Sequence, residues 1–327
     1  MPGMSPGRKR LLVVVKSVLA LLLIGFVAWR FAGYLQSPEL EYRTAFRVQY
    51  LIPAGLLYLL CHTLWGTFWW QLLRGQGVPV SWYAGVRAYF VSQIGKYAPG
   101  KAWVLMLRIG LLRSEQTRPT VIIVTGLYET LTNMAAGAML GVALLPWSGL
   151  ADQLSELQRY GLFGLALLPL ALLGLNRLVR RVATKYRGPD APPIPVPSLG
   201  LLARGLVQAT VGWALLGLSL WLTACGLSAE LPPLTGEAYL QYLSGVCLAY
   251  VVGFVVLISP AGLGAREWVL QAVLARQLNG AEGLAAAIAF GLRVVWTLFE
   301  ILCMLGLWFI APLSSGGERG ANNEVNP

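Results

Sequence analysis

The sequence predicts an all-α polytopic integral membrane protein, with about six full spans and two re-entrant broken-helix hairpins arranged as inverted-topology repeats. Three observations carry this. Hydrophobic residues make up 57% of the chain against 12% charged, and they fall in runs of about 20, the length that crosses a bilayer. Two of the apolar stretches are interrupted by Pro, Gly and charge. No polar block of about 100 residues separates the runs, so residues 1–327 read as a single transmembrane domain without an attached soluble catalytic module.

Taken in order, the start MPGMSPGRKRLLVVVK has a basic head like a signal peptide. Its apolar region is longer than a signal core and no small-x-small cleavage site follows, so 14–35 is read as a retained anchor helix. Spans follow near 49–72 and 119–145, then 160–177, 203–226 and 283–311, each long enough to cross with some tilt.

Residues 82–113 fit no single span. Pro99 has no N–H and disfavours helical geometry at Ala98, and Gly95 and Gly100 loosen the same turn. The pieces on either side, about 20 Å long at 1.5 Å per residue, fall short of a core of about 30 Å. A re-entrant hairpin is therefore expected. In 238–278, AYLQYLSGVCLAYVVGFVVLI runs into SPAGLGARE and a short second arm, and the same reasoning gives a second hairpin. A rival topology lets 238–258 cross fully, which would move the C-terminus to the other side.

The layout span, hairpin, span thus occurs twice, over 49–145 and 203–311, beginning on opposite sides of the membrane. Paired broken helices in inverted repeats point to a binding site between them. Residues 178–202 form a basic, then proline-rich linker, and 312–327 a polar tail.

The formal net charge of +11 follows the positive-inside rule and no nucleic-acid partner is expected, since no basic helix or aromatic-basic platform stands free of the membrane. Arg8, Lys9 and Arg10, with Arg177, Arg180, Arg181, Lys185 and Arg187, fall on one side. Arg43, Arg47 and Arg159 fall on the other. This places the chain in the cytoplasmic (inner) membrane with a cytoplasmic N-terminus.

Ionisable residues in an apolar setting mark candidate binding positions. At the first break, IGKYAPGKAW, these are Lys96, Tyr97, Pro99, Gly100 and Lys101, with Arg108 two turns on. The exposed N–H groups of the second arm and the flanking cations suit a phosphate or carboxylate. At the second break they are Pro260, Gly262, Gly264, Arg266 and Glu267, where Arg266 offers a bidentate fork. Within the spans lie Glu129, Arg293 and Glu300. The last two are seven apart and share a helix face.

The plainer readings are lysines reaching for the interface, a local Arg266–Glu267 pair, and charges that only lock helices together. His62 reads as a packed core residue and Cys61, Cys225, Cys247 and Cys303 as small core residues. Trp65, Phe68, Trp69 and Trp70 read as an interfacial belt.

The HExxH, Walker, GxSxG and CxxC patterns are absent. No catalytic residue, metal site or cofactor is expected, and the chain reads as no enzyme.

IGKYAPGKAW followed by Arg108, then SPAGLGARE, resembles the flippase-like family defined by the transmembrane region of lysylphosphatidylglycerol synthase, over roughly residues 10 to 312. The resemblance implies re-entrant helices around a lipid-accommodating cavity and the movement of lipids between leaflets. It implies site residues at Lys96, Tyr97, Pro99, Gly100 and Lys101, and at Pro260, Gly262, Gly264, Arg266 and Glu267.

Members that make the lysyl lipid carry a large soluble synthase domain, for which 1–327 has no counterpart, so synthesis is not the expected activity. A lipid translocase or lipid-binding transporter is expected, acting on a phospholipid or another anionic, aminoacyl or isoprenoid lipid. The alternatives are a membrane enzyme acting on lipid phosphate, with Glu129 or Glu267 as base, and a noncatalytic partner of a separate lipid synthase or glycosyltransferase. Membrane lipids are the expected partners, and the sequence leaves a homo-oligomer open.

Overall fold

A computed structural model describes residues 44–97, 102–112, 117–148, 174, 177, 181, 196–255 and 264–309. The expected helix at 14–35, the one at 160–177 apart from residues 174 and 177, most of the linker and the polar tail lie outside the described residues. So do Pro99, Gly100, Lys101, Pro260 and Gly262.

Eight α-helices are described: α1 (Val48–Gly75), α2 (Trp82–Ser92), α3 (Ala102–Leu111), α4 (Pro119–Ala143), α5 (Leu199–Leu227), α6 (Gly236–Val255), α7 (Ala265–Gln277) and α8 (Glu282–Phe309). By length and composition, α1, α5 and α8 are able to cross a membrane. Local signals set several of the starts. Ser81 and Ser198 cap α2 and α5 by accepting from the N–H groups of Ala84 and Leu201, and Pro119 opens α4 where a missing N–H costs nothing.

α8 shows why these helices suit lipid. Phe290, Val294, Leu298, Ile301, Leu305 and Trp308 form an exposed apolar stripe, while Leu292, Trp296 and Glu300 are buried on the other side. Apolar outside and charge inside is the arrangement hydrocarbon favours, and water would penalise a patch of that extent.

α1 and α5 run antiparallel along nearly their whole length. Small residues on α5 recur every seven positions, Gly205, Gly212, Ser219 and Gly226. They receive Phe68, Trp65 with Cys61, the Ala54 carbonyl and Leu51 respectively. Close backbone approach through small residues is the usual means of helix association in lipid.

This corrects the interfacial belt expected of the tryptophans. Trp65, Phe68 and Trp69 are buried, because their rings fill the space that the α5 glycines and neighbouring α4 leave open. Arg47 closes the same interface, donating to the carbonyls of Cys225, Ser228 and Ala229 at the end of α5, which otherwise lack partners.

A Cβ at Gly212 would collide with the Trp65 indole. Gly212→Leu is therefore expected to cost at least about 1–3 kcal/mol by overpacking, read as a fall in melting temperature in detergent. An unchanged melting temperature would mean that α1 and α5 are not pressed together here.

Each of the two stretches expected to be broken contains two helices. α2 and α3 have 11 and 10 residues, about 15–17 Å each, and a 3-10 turn Gln93–Tyr97 follows α2. At Gly95 the backbone of Trp103 and Val104 passes so close that a Cβ would lie 2.6 Å from the Val104 nitrogen. Only glycine fits there. In the second stretch α6 has 20 residues and α7 has 13, so its first arm is about 30 Å long, as long as the hydrocarbon is thick.

The helix contacts fall into matched sets. α1 packs on α2, α2 on α3, α3 on α4 and α1 on α4; α5 packs on α6, α6 on α7, α7 on α8 and α5 on α8. Across the two sets α2 meets α8 and α6 meets α4, while α1 meets α8 and α5 meets α4. Each contact in one set has a counterpart in the other, and the α1–α5 seam joins them.

Candidate functional site

The first break delivers a cation into the core. Lys96, in the 3-10 turn after α2, forms an ion pair with Glu300 of α8 and lies 3.3 Å from the Tyr58 hydroxyl of α1. That hydroxyl donates to the same Glu300 oxygen, Oε2, at 2.8 Å. Three separate elements therefore converge on one carboxylate that is 2% exposed. Its other oxygen, Oε1, is buried and has no hydrogen-bond partner among the described residues.

The second break delivers another. Gly264 caps α7 with φ +87°, a conformation that favours glycine, and its N–H donates to Glu267 Oε2 at 2.6 Å. Glu267 Oε1 accepts from Arg293 of α8 at 2.7 Å. Arg266 is not in this pair. Its guanidinium lies 3.4 Å over the centre of the Tyr250 ring on α6, and its buried Nε donates to nothing among the described residues.

Aromatic rings connect the two. Tyr250 lies 5.8 Å from Trp296, and Trp296 stacks on Tyr58 at 5.1 Å. Trp296 and Glu300 are one turn apart on α8. His62 packs against Tyr58 at 4.1 Å, with Nδ1 3.1 Å from the Tyr58 carbonyl, as expected of a hydrogen-bonded core residue. Lys96 with Glu300 and, at the other end, Arg266 thus meet one aromatic run, Tyr58–Trp296–Tyr250, while Glu267 beside Arg266 is held by Arg293.

Arg293 and Glu300 share a face of α8, yet they do not pair with each other. Each holds a different break: Glu300 the first and Arg293 the second. α8 is therefore a common strut.

Arg108 and Glu129 form a separate, closed network. The guanidinium of Arg108 lies 3.1 Å from Glu129 and 3.3 Å from the Ser92 hydroxyl, between the rings of Trp69 at 4.4 Å and Tyr89 at 4.7 Å. Glu129 also accepts from Asn133 at 2.7 Å and from the Tyr89 hydroxyl at 3.4 Å. Both are almost completely buried. At Tyr97 the described backbone ends the 3-10 turn.

Tyr58, Tyr250 and Trp296 were not singled out by the sequence. Their only signal is spacing: Trp296 precedes Glu300 by one turn, and Tyr58 precedes His62 by one turn, in otherwise apolar helices. Among the described residues no group of three or more His, Cys, Asp or Glu could hold a metal ion.

No curated protein matches the chain. The resemblance read from the two breaks is borne out: residues 13–301 match the model of the Lysylphosphatidylglycerol synthase TM region, and the chain belongs to that family of membrane proteins linked to lipid metabolism.

Proposed function

We propose that the protein is a flippase-like lipid translocase or lipid-binding transporter, which moves an anionic, aminoacyl or isoprenoid lipid between leaflets through a central polar site. One observation carries this reading. The charged residues of the two breaks, far apart in sequence, reach one run of aromatic rings, Lys96 with Glu300 at Tyr58 and Arg266 at Tyr250, with Trp296 between them. A chain that needed only helix-to-helix locks would have no use for a guanidinium set on an aromatic ring with an unused donor.

In this reading the two broken stretches are re-entrant hairpins, and α1–α4 and α5–α8 are inverted repeats that rock against each other. The matched contact sets and the antiparallel α1–α5 seam support that arrangement. The chain lies in the inner membrane with its N-terminus in the cytoplasm, following its basic loops.

The headgroup is held by Lys96, Lys101 and Arg266 while acyl chains stay in the bilayer, and Arg108 with Glu129 holds the first hairpin in shape. The protein is not an enzyme in this reading: Glu129 is committed to Arg108 and Asn133, and Glu267 to Arg293 and the α7 cap. Neither is left to act as a base.

The test is reconstitution in liposomes with headgroup-labelled phospholipids. Transbilayer movement by the wild type is expected to fall to the protein-free rate in both Lys101→Ala and Arg266→Ala. Movement at the wild-type rate in well-folded mutants, or no movement of any anionic, isoprenoid or aminoacyl lipid by the wild type, would sink the reading.

A further inference from the structure

We propose that α2 and α8 form a gate at the end of the molecule that carries Arg74, Arg118 and Arg204, closed in this conformation by two polar contacts that part together when the repeats rock. The motion rests on the translocation reading above; the contacts do not. Lys96, in the turn after α2, meets Glu300, and Arg87, nine residues earlier, donates from Nε to the Leu307 carbonyl at 2.8 Å. Glu300 and Leu307 are two turns apart on one face of α8, about 10 Å along its axis. One contact is therefore deep and the other lies nearer the end of the helix.

That end is fixed by its neighbours. Arg74 is in the last turn of α1, Arg118 precedes α4, and α5 begins beside the end of α1, where Leu201 faces Gly75. The start of α2 is held there too, since Trp70 of α1 donates to the Val80 carbonyl. Arg87 thus brings the end of α8 to the basic end of the bundle.

Rocking preserves contacts within a repeat and breaks some of those between repeats. The second arm of each broken stretch is tied within its own repeat by an ion pair, Arg108 of α3 to Glu129 of α4 and Glu267 of α7 to Arg293 of α8. The signs are exchanged but the plan is the same. Seven residues beyond Arg293, α8 carries Glu300; seven beyond Glu129, α4 carries Ala136. The pair Lys96–Glu300 is thus an added tie from the first repeat to the second, and Arg87 adds another. α2 itself belongs with α1, because Trp82 donates to Thr67 at 3.0 Å and Gly85 packs on Trp70.

The opposite flank is built differently. The Trp213 ring of α5 fills the space at Gly137 of α4 and donates to the Asn133 carbonyl, and Leu248 of α6 packs on Gly141. Opening that flank to water would wet interlocked apolar surface, which is unfavourable. Parting α2 from α8 instead hydrates Arg87, Lys96 and Glu300, and the regained solvation offsets the lost contacts. Glu300 also keeps the Tyr58 hydroxyl of α1 as a donor when Lys96 leaves.

Cys303 reports on the gate. It lies three residues after Glu300 and four before Leu307, on the same face of α8, and is half-buried, whereas Cys61, Cys225 and Cys247 are buried. The purified full chain in sealed liposomes is treated with membrane-impermeant thiosulfonate reagents, and each cysteine is scored by mass spectrometry. One reagent is cationic and one anionic, so that the altered local charge cancels from the comparison. Arg87→Ala is expected to raise the rate at Cys303 about tenfold with both, the effect of one hydrogen bond from a charged donor. Arg87→Lys, which keeps a cationic donor, should fall between, and the other three cysteines should stay protected. The reagent should reach Cys303 from the face at which Arg74→Cys is labelled.

An unchanged rate at Cys303 in both Arg87→Ala and Lys96→Ala would overturn the gate. So would parallel labelling of all four cysteines, the mark of general loosening, or labelling of Cys303 from the face opposite Arg74→Cys. None of these readings requires lipid to move. Faster labelling of Cys303 in Arg87→Ala, with no lipid movement by the wild type, leaves the gate standing and removes the translocase reading. Lipid movement with Cys303 unaffected does the reverse.

Discussion

Glu129→Ala is expected to be the most damaging single substitution at the first hairpin, lowering stability by about 3–5 kcal/mol, the usual result of leaving one partner of a buried ion pair uncompensated. Arg108 would remain 2% exposed, against Trp69 and Tyr89, with the Ser92 hydroxyl as its remaining acceptor among the described residues. Asn133 and Tyr89 would lose an acceptor at the same time. Because this network joins α2, α3 and α4, the loss should also loosen the turn that carries Lys96.

The check is thermal unfolding in detergent followed by size-exclusion chromatography, with the double variant Arg108→Leu, Glu129→Leu beside it. Removing both charges is expected to recover much of the loss, since the desolvation penalty of the pair disappears with it. A Glu129→Ala protein that melts like the wild type would show that the network does not hold the hairpin.

Reversing the charge at the other pair is the second large effect. Lys96→Glu places a carboxylate against Glu300, and the loss is expected to reach about 3 kcal/mol or more, because like charges at a site with low solvent access have no counterion. Lys96→Ala should cost less, about 1–3 kcal/mol, since Tyr58 still donates to Glu300 and the lysine side chain is 26% exposed.

The exchange Lys96→Glu with Glu300→Lys tests the contact itself. If the two side chains meet as described, the double variant should regain at least half of the melting temperature lost by Lys96→Glu, the signature of direct coupling in a mutant cycle. Strict additivity of the two single effects would place them in separate environments.

Hydropathy and helix breakers are local, so the sequence alone placed α1, α4, α5 and α8 within a few residues and marked both interruptions. Buried charge is also locally conspicuous in an apolar run, which is why Arg108, Glu129, Glu267, Arg293 and Glu300 could be named. The family could be read from IGKYAPGKAW and SPAGLGARE for the same reason, since a motif is a short-range object.

Partner choice is different, because it depends on which faces of distant helices meet. Arg293 and Glu300 looked like two members of one pair on a shared face, and only packing assigned them to α7 and to the turn after α2. Trp65, Phe68 and Trp69 looked like a belt at the end of a span. Trp65 and Phe68 are buried against glycines some 140 residues away on α5 and Trp69 against Thr125 of α4, a complementarity that no window of sequence contains.

The same holds for Tyr58, Trp296 and Tyr250, ordinary aromatics in apolar helices until three elements bring them beside Glu300 and Arg266. Sequence by itself determined which residues are expensive to bury in lipid. Tertiary structure alone decided which of those costs are cancelled by a partner, because cancellation requires two groups within about 3 Å, and only the folded chain sets that distance.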